Sequence, residues 1–135
     1  LYFGLEKTIE LVQEQYKTYG IGRWAVIEKE SNKFVGWCGL KLITEVINGH
    51  SNFHELGYRF LPDSWGKGYA TESGKYWVDF AFSNIKCEKL YAMADPEHAA
   101  SKNVLKKLNF KYHETFLYNQ EPLVGLATEW FVIEK

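Results

Sequence analysis

The stretch that most constrains the fold is Ser64-Trp65-Gly66-Lys67-Gly68-Tyr69-Ala70-Thr71-Glu72. Before it stands Phe53 to Leu61, which reads as a strand and stops at Pro62. After it, Ala70, Trp77, Val78, Ala81 and Phe82 recur at helical spacing. Strand, glycine turn and helix in that order aim free backbone N–H groups and the positive end of a helix dipole at one point, which suits an anion. Glycine at the turn lets the backbone approach a ligand with no Cβ in the way. Gly-x-Gly taken alone fits a plain strand-to-helix connection equally well, so the flanking chain has to decide.

The flanks read as a single α/β (α+β) domain over residues 1–135. Leu5, Ile9, Val12 and Tyr16 share one helical face, which predicts an amphipathic helix from Leu5 to Tyr19 stopped by Gly20. Strands are expected over Arg23–Lys29, Lys33–Thr44 and Phe53–Leu61, with turns at Ser31-Asn32 and Asn48-Gly49. These form an antiparallel meander. A helix from Tyr69 to Ser83, a strand Lys89–Ala94, a helix Ala99–Leu108 and strands Phe110–Tyr118 and Thr128–Ile133 complete the order. The strand ending at Leu61, the helix and the strand from Lys89 make a β-α-β crossover, so those two strands should run parallel and adjacent. The glycine turn then sits at the carboxyl end of its strand, where open sheets bind ligands.

Composition narrows the classes of function. Hydrophobic residues at 46% and aromatics at 17% give a folded core. A net charge of −1 supplies no electrostatic case for nucleic acid or a membrane surface. No apolar run is long enough to span a bilayer and no secretory signal is visible, so a cytoplasmic protein is expected. Cys38 and Cys87 lie in apolar contexts, in no Cys-x-x-Cys pair and far in sequence from histidine; free thiols are expected and no metal site. Leu1-Tyr2-Phe3-Gly4 reads either as natural sequence or as the remnant of a tag.

Two blocks carry a family resemblance. Glu55-Leu56-Gly57-Tyr58-Arg59-Phe60 followed by Trp65-Gly66-Lys67-Gly68-Tyr69-Ala70-Thr71-Glu72 resembles the acetyl-CoA signature of the Gcn5-related N-acetyltransferases. Asp95-Pro96 followed by Ala100-Ser101-Lys102-Asn103-Val104-Leu105-Lys106-Lys107-Leu108-Asn109-Phe110 resembles the second block of the branch containing the ribosomal-protein N-terminal acetyltransferases. The resemblance implies a mixed, mostly antiparallel sheet with splayed central strands and helices on both faces. It also implies that the family's N-terminal strand is missing before Leu1, a gap that a partner could fill in a homodimer. The chain departs from the pattern at Trp65, His98 and Asn109, and has Leu105 where many members place a tyrosine that protonates the leaving thiolate.

The implied partners are a coenzyme A thioester, acetyl-CoA, and an amine acceptor. The amides of Gly66, Gly68, Tyr69, Ala70 and Thr71 are expected to hold the pyrophosphate, with Trp65 in the same signature; Lys67 serves either as a point charge on phosphate or as a solvated turn residue. Phe60 and Leu61 would offer backbone groups to the pantetheine arm, which adds itself like a strand. Glu55 stands as general base through a water, or faces solvent; Ser101 is the candidate proton donor to the thiolate, or a cap. Asn103 and His98 are candidate pantetheine contacts, or exposed residues. Trp24, Trp37, Tyr58, Tyr112, Tyr118 and Trp130 read mostly as core, and Glu129 as surface. The alternatives are a catalytically inactive acyl-CoA-binding module and a small β-rich domain binding an unrelated apolar ligand.

Overall fold

The computed structural model describes residues 4–121 and 123–135. Leu1 to Phe3, and the side chain of Leu5, lie outside the described residues. The order is α1 (Gly4–Tyr19), β1 (Arg23–Ile27), β2 (Phe34–Ile43), β3 (Phe53–Phe60), α2 (Tyr69–Phe80), β4 (Lys89–Ala94), α3 (Ala99–Lys107), β5 (Lys111–Leu117) and β6 (Ala127–Glu134). The strands form a 6-stranded sheet in the order β1-β2-β3-β4-β6-β5, with β3 and β4 parallel and every other pair antiparallel. The expected meander and crossover are both present.

Differences from the expected bounds have local causes. β1 stops at Ile27, because Glu28 and Lys33 close a turn in which Asn32 takes a left-handed φ of 58°. Asn48-Gly49 does make a two-residue turn, with φ of 51° and 75°, but it closes a miniature hairpin between Ile47 and His50 inside the β2–β3 connection. The helix expected to end at Ser83 continues past α2 in a π turn, Ala81–Ile85, and is stopped by Lys86 in the left-handed region. Asn109, standing where the family pattern has glycine, takes a φ of 70°.

Alternation along β3 sends its side chains to two different surroundings. Leu56, Tyr58 and Phe60 join the main core with Cys38, Leu40, Leu90, Ala92 and Phe131 from the sheet, Val78 from α2 and Leu105 from α3. Phe53, on the opposite face, joins Ile43, Ile47 and Trp130, with Tyr91, Phe116 and Tyr118 packed around them. α1 meets the sheet at β2, where the Gln15 amide donates to the Leu42 carbonyl and accepts from its N–H, each at 3.0 Å. The pair acts as a surrogate strand residue, closing an edge that β1 is too short to reach.

The aromatic residues divide by strand position. Trp130 is 1% exposed, whereas Trp24 and Tyr112 lie on the surface, because β1 and β5 are the two edges of the sheet. The expectation that they belong to the core is corrected by that topology. Cys38 is buried and Cys87 half-buried, both as free thiols. Among the described residues no helix is long and apolar enough to cross a membrane, and no group of three His, Cys, Asp or Glu stands ready for a metal ion.

Candidate active site

The glycine turn has the geometry of an anion cradle. Gly66 and Gly68 hold φ of 76° and 82°, and a Cβ built on either meets nothing within 4 Å. Both positions therefore need glycine for their backbone, and both border open space. A single 3-10 turn, Pro62–Ser64, carries the chain from β3 into them. Gly68 caps α2 without any side-chain hydrogen bond. The first helical bond runs from the Glu72 amide to the Gly68 carbonyl at 3.0 Å, so the amides of Tyr69, Ala70 and Thr71 precede the ladder with no helical carbonyl to bond. Lys67 is exposed beside them. The Tyr69 hydroxyl donates to the Glu28 carboxylate, which ties the helix start to the β1–β2 turn.

Beside the cradle the sheet comes apart. β3 and β4 share one paired position, Glu55 with Tyr91, whereas β2 and β3 share eight. The Leu61 amide donates to the Val35 carbonyl at 2.9 Å, which makes Gly36 and Phe60 a non-hydrogen-bonded pair. By the same alternation the backbone groups of Tyr58 and Phe60 point away from β2, into the gap that β4 has left. A strand edge bare of partners over this length is a template for an extended, amide-bearing chain.

Phe60 and Leu61 differ in what they leave open. The Trp65 indole folds back and donates to the Phe60 carbonyl at 2.9 Å, and the Leu61 carbonyl accepts from the Ser64 amide at 2.8 Å. Of these two residues, Phe60 keeps its amide directed into the gap. Trp65 is thus a brace for the strand end, with 63% of its surface exposed above the turn.

Glu55 sits at the closed end of the gap, on the face opposite Tyr58. Its Oε1 accepts from Arg23 Nη2 at 2.6 Å, with the two side chains 12% and 17% exposed. The guanidinium lies over Gly57, where a Cβ would come within 1.5 Å of Nη1, and 5.5 Å from the Trp37 ring. Arg23, Gly39 and Gly57 stand in register on β1, β2 and β3, so two glycines clear a flat track for one long side chain. Glu55 is therefore an oriented, largely buried carboxylate, not a solvent-facing one. Burial, and then the charges of Glu55 and Glu45, push the Tyr118 hydroxyl up to about 12.

Across the gap, α3 presents a second polar group. The Tyr58 hydroxyl donates to the Ser101 carbonyl at 2.9 Å and lies 3.1 Å from Ser101 Oγ. His98 caps α3 through Nδ1, which accepts from the Ser101 amide at 3.0 Å. Its ring is thereby committed to the helix start. His98→Ala is expected to cost about 1 kcal/mol of stability, as loss of an N-cap does, and His98→Asp to keep most of it; denaturant midpoints measure both. Asn103 is exposed on α3 and Leu105 is 1% exposed in the core. Lys102 of α3 pairs with Glu129 of β6 at 3.0 Å, so Glu129 is a buried-side anchor for α3 and not a free surface carboxylate.

The structure thus places Gly66 to Thr71 at the turn into α2, the Phe60 amide on the gap, Glu55 on β3 against Arg23, and Ser101 on α3 against Tyr58. Sequence reasoning missed Arg23 and Tyr58, the residues that hold those two. Tyr58 is pushed up to about 12 and Cys38 to about 11, both by burial. Groups whose folded pKa is raised bind their proton more tightly folded than unfolded, so their contribution is whole below the unfolded pKa and lost above the folded one. Stability is accordingly expected to fall as pH climbs from about 9 through about 12, and less steeply in Tyr58→Phe; urea titrations across that window measure it.

The acetyltransferase (GNAT) domain model matches residues 4–111. The chain belongs to that family. Uncharacterized protein YkkB of Bacillus subtilis is 31% identical over 82% of this chain and 63% of its own length. The uncharacterized N-acetyltransferase p20 of Bacillus licheniformis is 32% identical over 66% of this chain and 48% of its own. The chain thus spans about half to two thirds of the curated relatives it matches. In fold it is similar to the ribosomal-protein-S5-alanine acetyltransferase of Vibrio fischeri, with a TM-score of 0.72 at 19% identity, covering 96% of this chain and 69% of that one.

Proposed function

We propose that this domain transfers the acetyl group of acetyl-CoA to a primary amine, a protein N-terminus or a small-molecule amine, by direct attack in a ternary complex. The observation that carries the reading is the conjunction of a helix start with no side-chain cap, two open left-handed glycines and a bare strand edge at one end of β3. The cradle's amides hold the pyrophosphate. The pantetheine arm lies along the Tyr58–Phe60 edge and delivers the thioester toward Glu55. There the carboxylate, fixed by Arg23, takes the amine's proton through a water, and the Phe60 amide stabilises the developing oxyanion.

The test has two stages. Acetyl-CoA is expected to raise the melting temperature, and a panel of peptide N-termini, polyamines and small primary amines is then expected to reveal one that releases free thiol. No stabilisation by acetyl-CoA sinks the reading. Stabilisation without thiol release on any amine favours the second reading, an acyl-CoA-binding module without turnover, whose structural support is Leu105 buried in the core at the family's tyrosine position.

A further inference from the structure

We infer that Glu28 is the positioning residue of the glycine turn: its carboxylate, gripping the Tyr69 hydroxyl, holds the first turn of α2 in the pose that binds a diphosphate. This rests on the acetyl-CoA reading and deepens it. The glycine turn cannot hold itself. Gly66 and Gly68 have φ of 76° and 82°, and a Cβ built on either meets nothing within 4 Å. Glycine gives up more conformational freedom on ordering than any other residue, so two of them beside open space make a loose mount. Gly68 contributes no side-chain cap, and the first amides of a helix have no helical carbonyl to bond. Amides that are to converge on one anion need an anchor from outside the turn.

Tyr69, the first residue of α2, supplies it. Its hydroxyl crosses to the β1–β2 turn and donates to Glu28 Oε2, a contact across 41 positions between two half-buried side chains. The other oxygen, Oε1, accepts from the Ser31 hydroxyl at 2.6 Å. The carboxylate is thus held from both sides, and its backbone is held too. The Glu28 amide donates to the Lys33 carbonyl at 2.9 Å, and the Glu28 carbonyl accepts from the Asn32 amide at 2.8 Å. On the helix side, Ser73 Oγ donates to the Tyr69 carbonyl at 2.6 Å, and the Tyr69 ring lies 6.5 Å from that of Phe60. Ser31, Glu28 and Tyr69 therefore form a strut, with its foot fixed in one loop and its head fixed at the helix start.

The type of residue matters. A negative charge near a diphosphate opposes it by Coulomb repulsion. As a plain surface charge, Glu28 would weaken the site. A carboxylate is also an acceptor-only group with two oxygens, so it takes two hydroxyl donors at once. Its hydrogen bonds are about twice as strong as those between neutral groups. Charge and position thus act on a bound diphosphate with opposite signs, and experiment can separate them. Glu30, exposed on the same turn, carries the same charge outside the strut.

Coenzyme A is the probe, titrated calorimetrically into the full chain. Glu28→Ala is expected to weaken its binding about tenfold, the worth of one hydrogen bond to a charged group, and Tyr69→Phe by the same factor. The double variant is expected to match either single one, because both break the same contact. Glu28→Gln removes the charge, keeps an acceptor for the Tyr69 hydroxyl, and is expected to bind within about twofold of the unaltered chain. Glu30→Ala is expected to bind equally well or more tightly. Thermal midpoints without ligand check that every variant is folded at the titration temperature. Unchanged or tighter binding in Glu28→Ala overturns the strut. So does an additive loss in the double variant, a loss in Glu30→Ala as large as that in Glu28→Ala, or a failure of Glu28→Gln to restore binding. Each of those results leaves the coenzyme site standing. Failure of the unaltered chain to bind coenzyme A overturns the site and the strut together.

Discussion

Gly68→Trp is expected to abolish coenzyme A binding while leaving the chain folded. Gly68 holds a φ of 82° at the cap of α2, and the space its side chain would enter is open. The fold therefore loses only the cost of a left-handed non-glycine residue, roughly 1–2 kcal/mol. The cradle loses much more. An indole planted at the helix start covers the Tyr69, Ala70 and Thr71 amides and displaces the ligand from the dipole's positive end. Affinity is expected to fall more than about a hundredfold, or roughly 2.7 kcal/mol. A matched control exists in the same chain. Gly125 has a φ of 85° and equally open surroundings, but lies in the β5–β6 connection. Gly125→Trp therefore imposes the same backbone strain with no effect on the cradle. Isothermal titration of coenzyme A into both variants separates strain from site. Equal affinity in the two would mean that the pyrophosphate is held elsewhere.

What the sequence revealed and what it hid follow from how far each signal reaches along the chain. The strand, glycine turn and helix were legible because everything they need is local: a strand, a proline, two glycines and a 3.6-residue apolar period within about thirty residues. The crossover was legible because a helix between two strands leaves one handedness and one neighbour for them. Arg23 was not legible as a partner of Glu55, because the contact spans 32 positions and depends on the register of three strands. Its trace was there in Gly39 and Gly57, glycines in strand interiors, where a close approach is the usual reason. Tyr58 was hidden in the same way: at 43 positions from Ser101, its ring reads as core by alternation, and only the tertiary fold shows where the hydroxyl ends. Trp24 misled in the other direction. Its pattern is that of a core residue, but β1 has a neighbour on one side only, and edge position overrides alternation.

Arg23→Met is expected to be among the most damaging single changes in the chain, at about 3 kcal/mol or more, because it leaves Glu55 charged, largely buried and unpaired. The same logic predicts the remedy. Adding Glu55→Gln to Arg23→Met removes the stranded charge and is expected to recover most of the loss, so the double-mutant cycle should show a coupling of about 2 kcal/mol. Gly57→Ala reaches the same pair from beneath: its new methyl occupies the place of Arg23 Nη1, and the guanidinium must leave Glu55 to make room. Stability and chemistry part company at Glu55→Gln alone. That change keeps the shape and an acceptor for Arg23, so its cost in folding is small beside that of Arg23→Met. Its cost in turnover is expected to be about a hundredfold or more, the range of a lost general base, with coenzyme A affinity unchanged, since the pyrophosphate cradle proposed above lies at the other end of β3. The amine identified by thiol release serves as the acceptor for that measurement. Full turnover in Glu55→Gln would return the carboxylate to a structural role, as the counter-ion that lets Arg23 lie flat across β2 and β3.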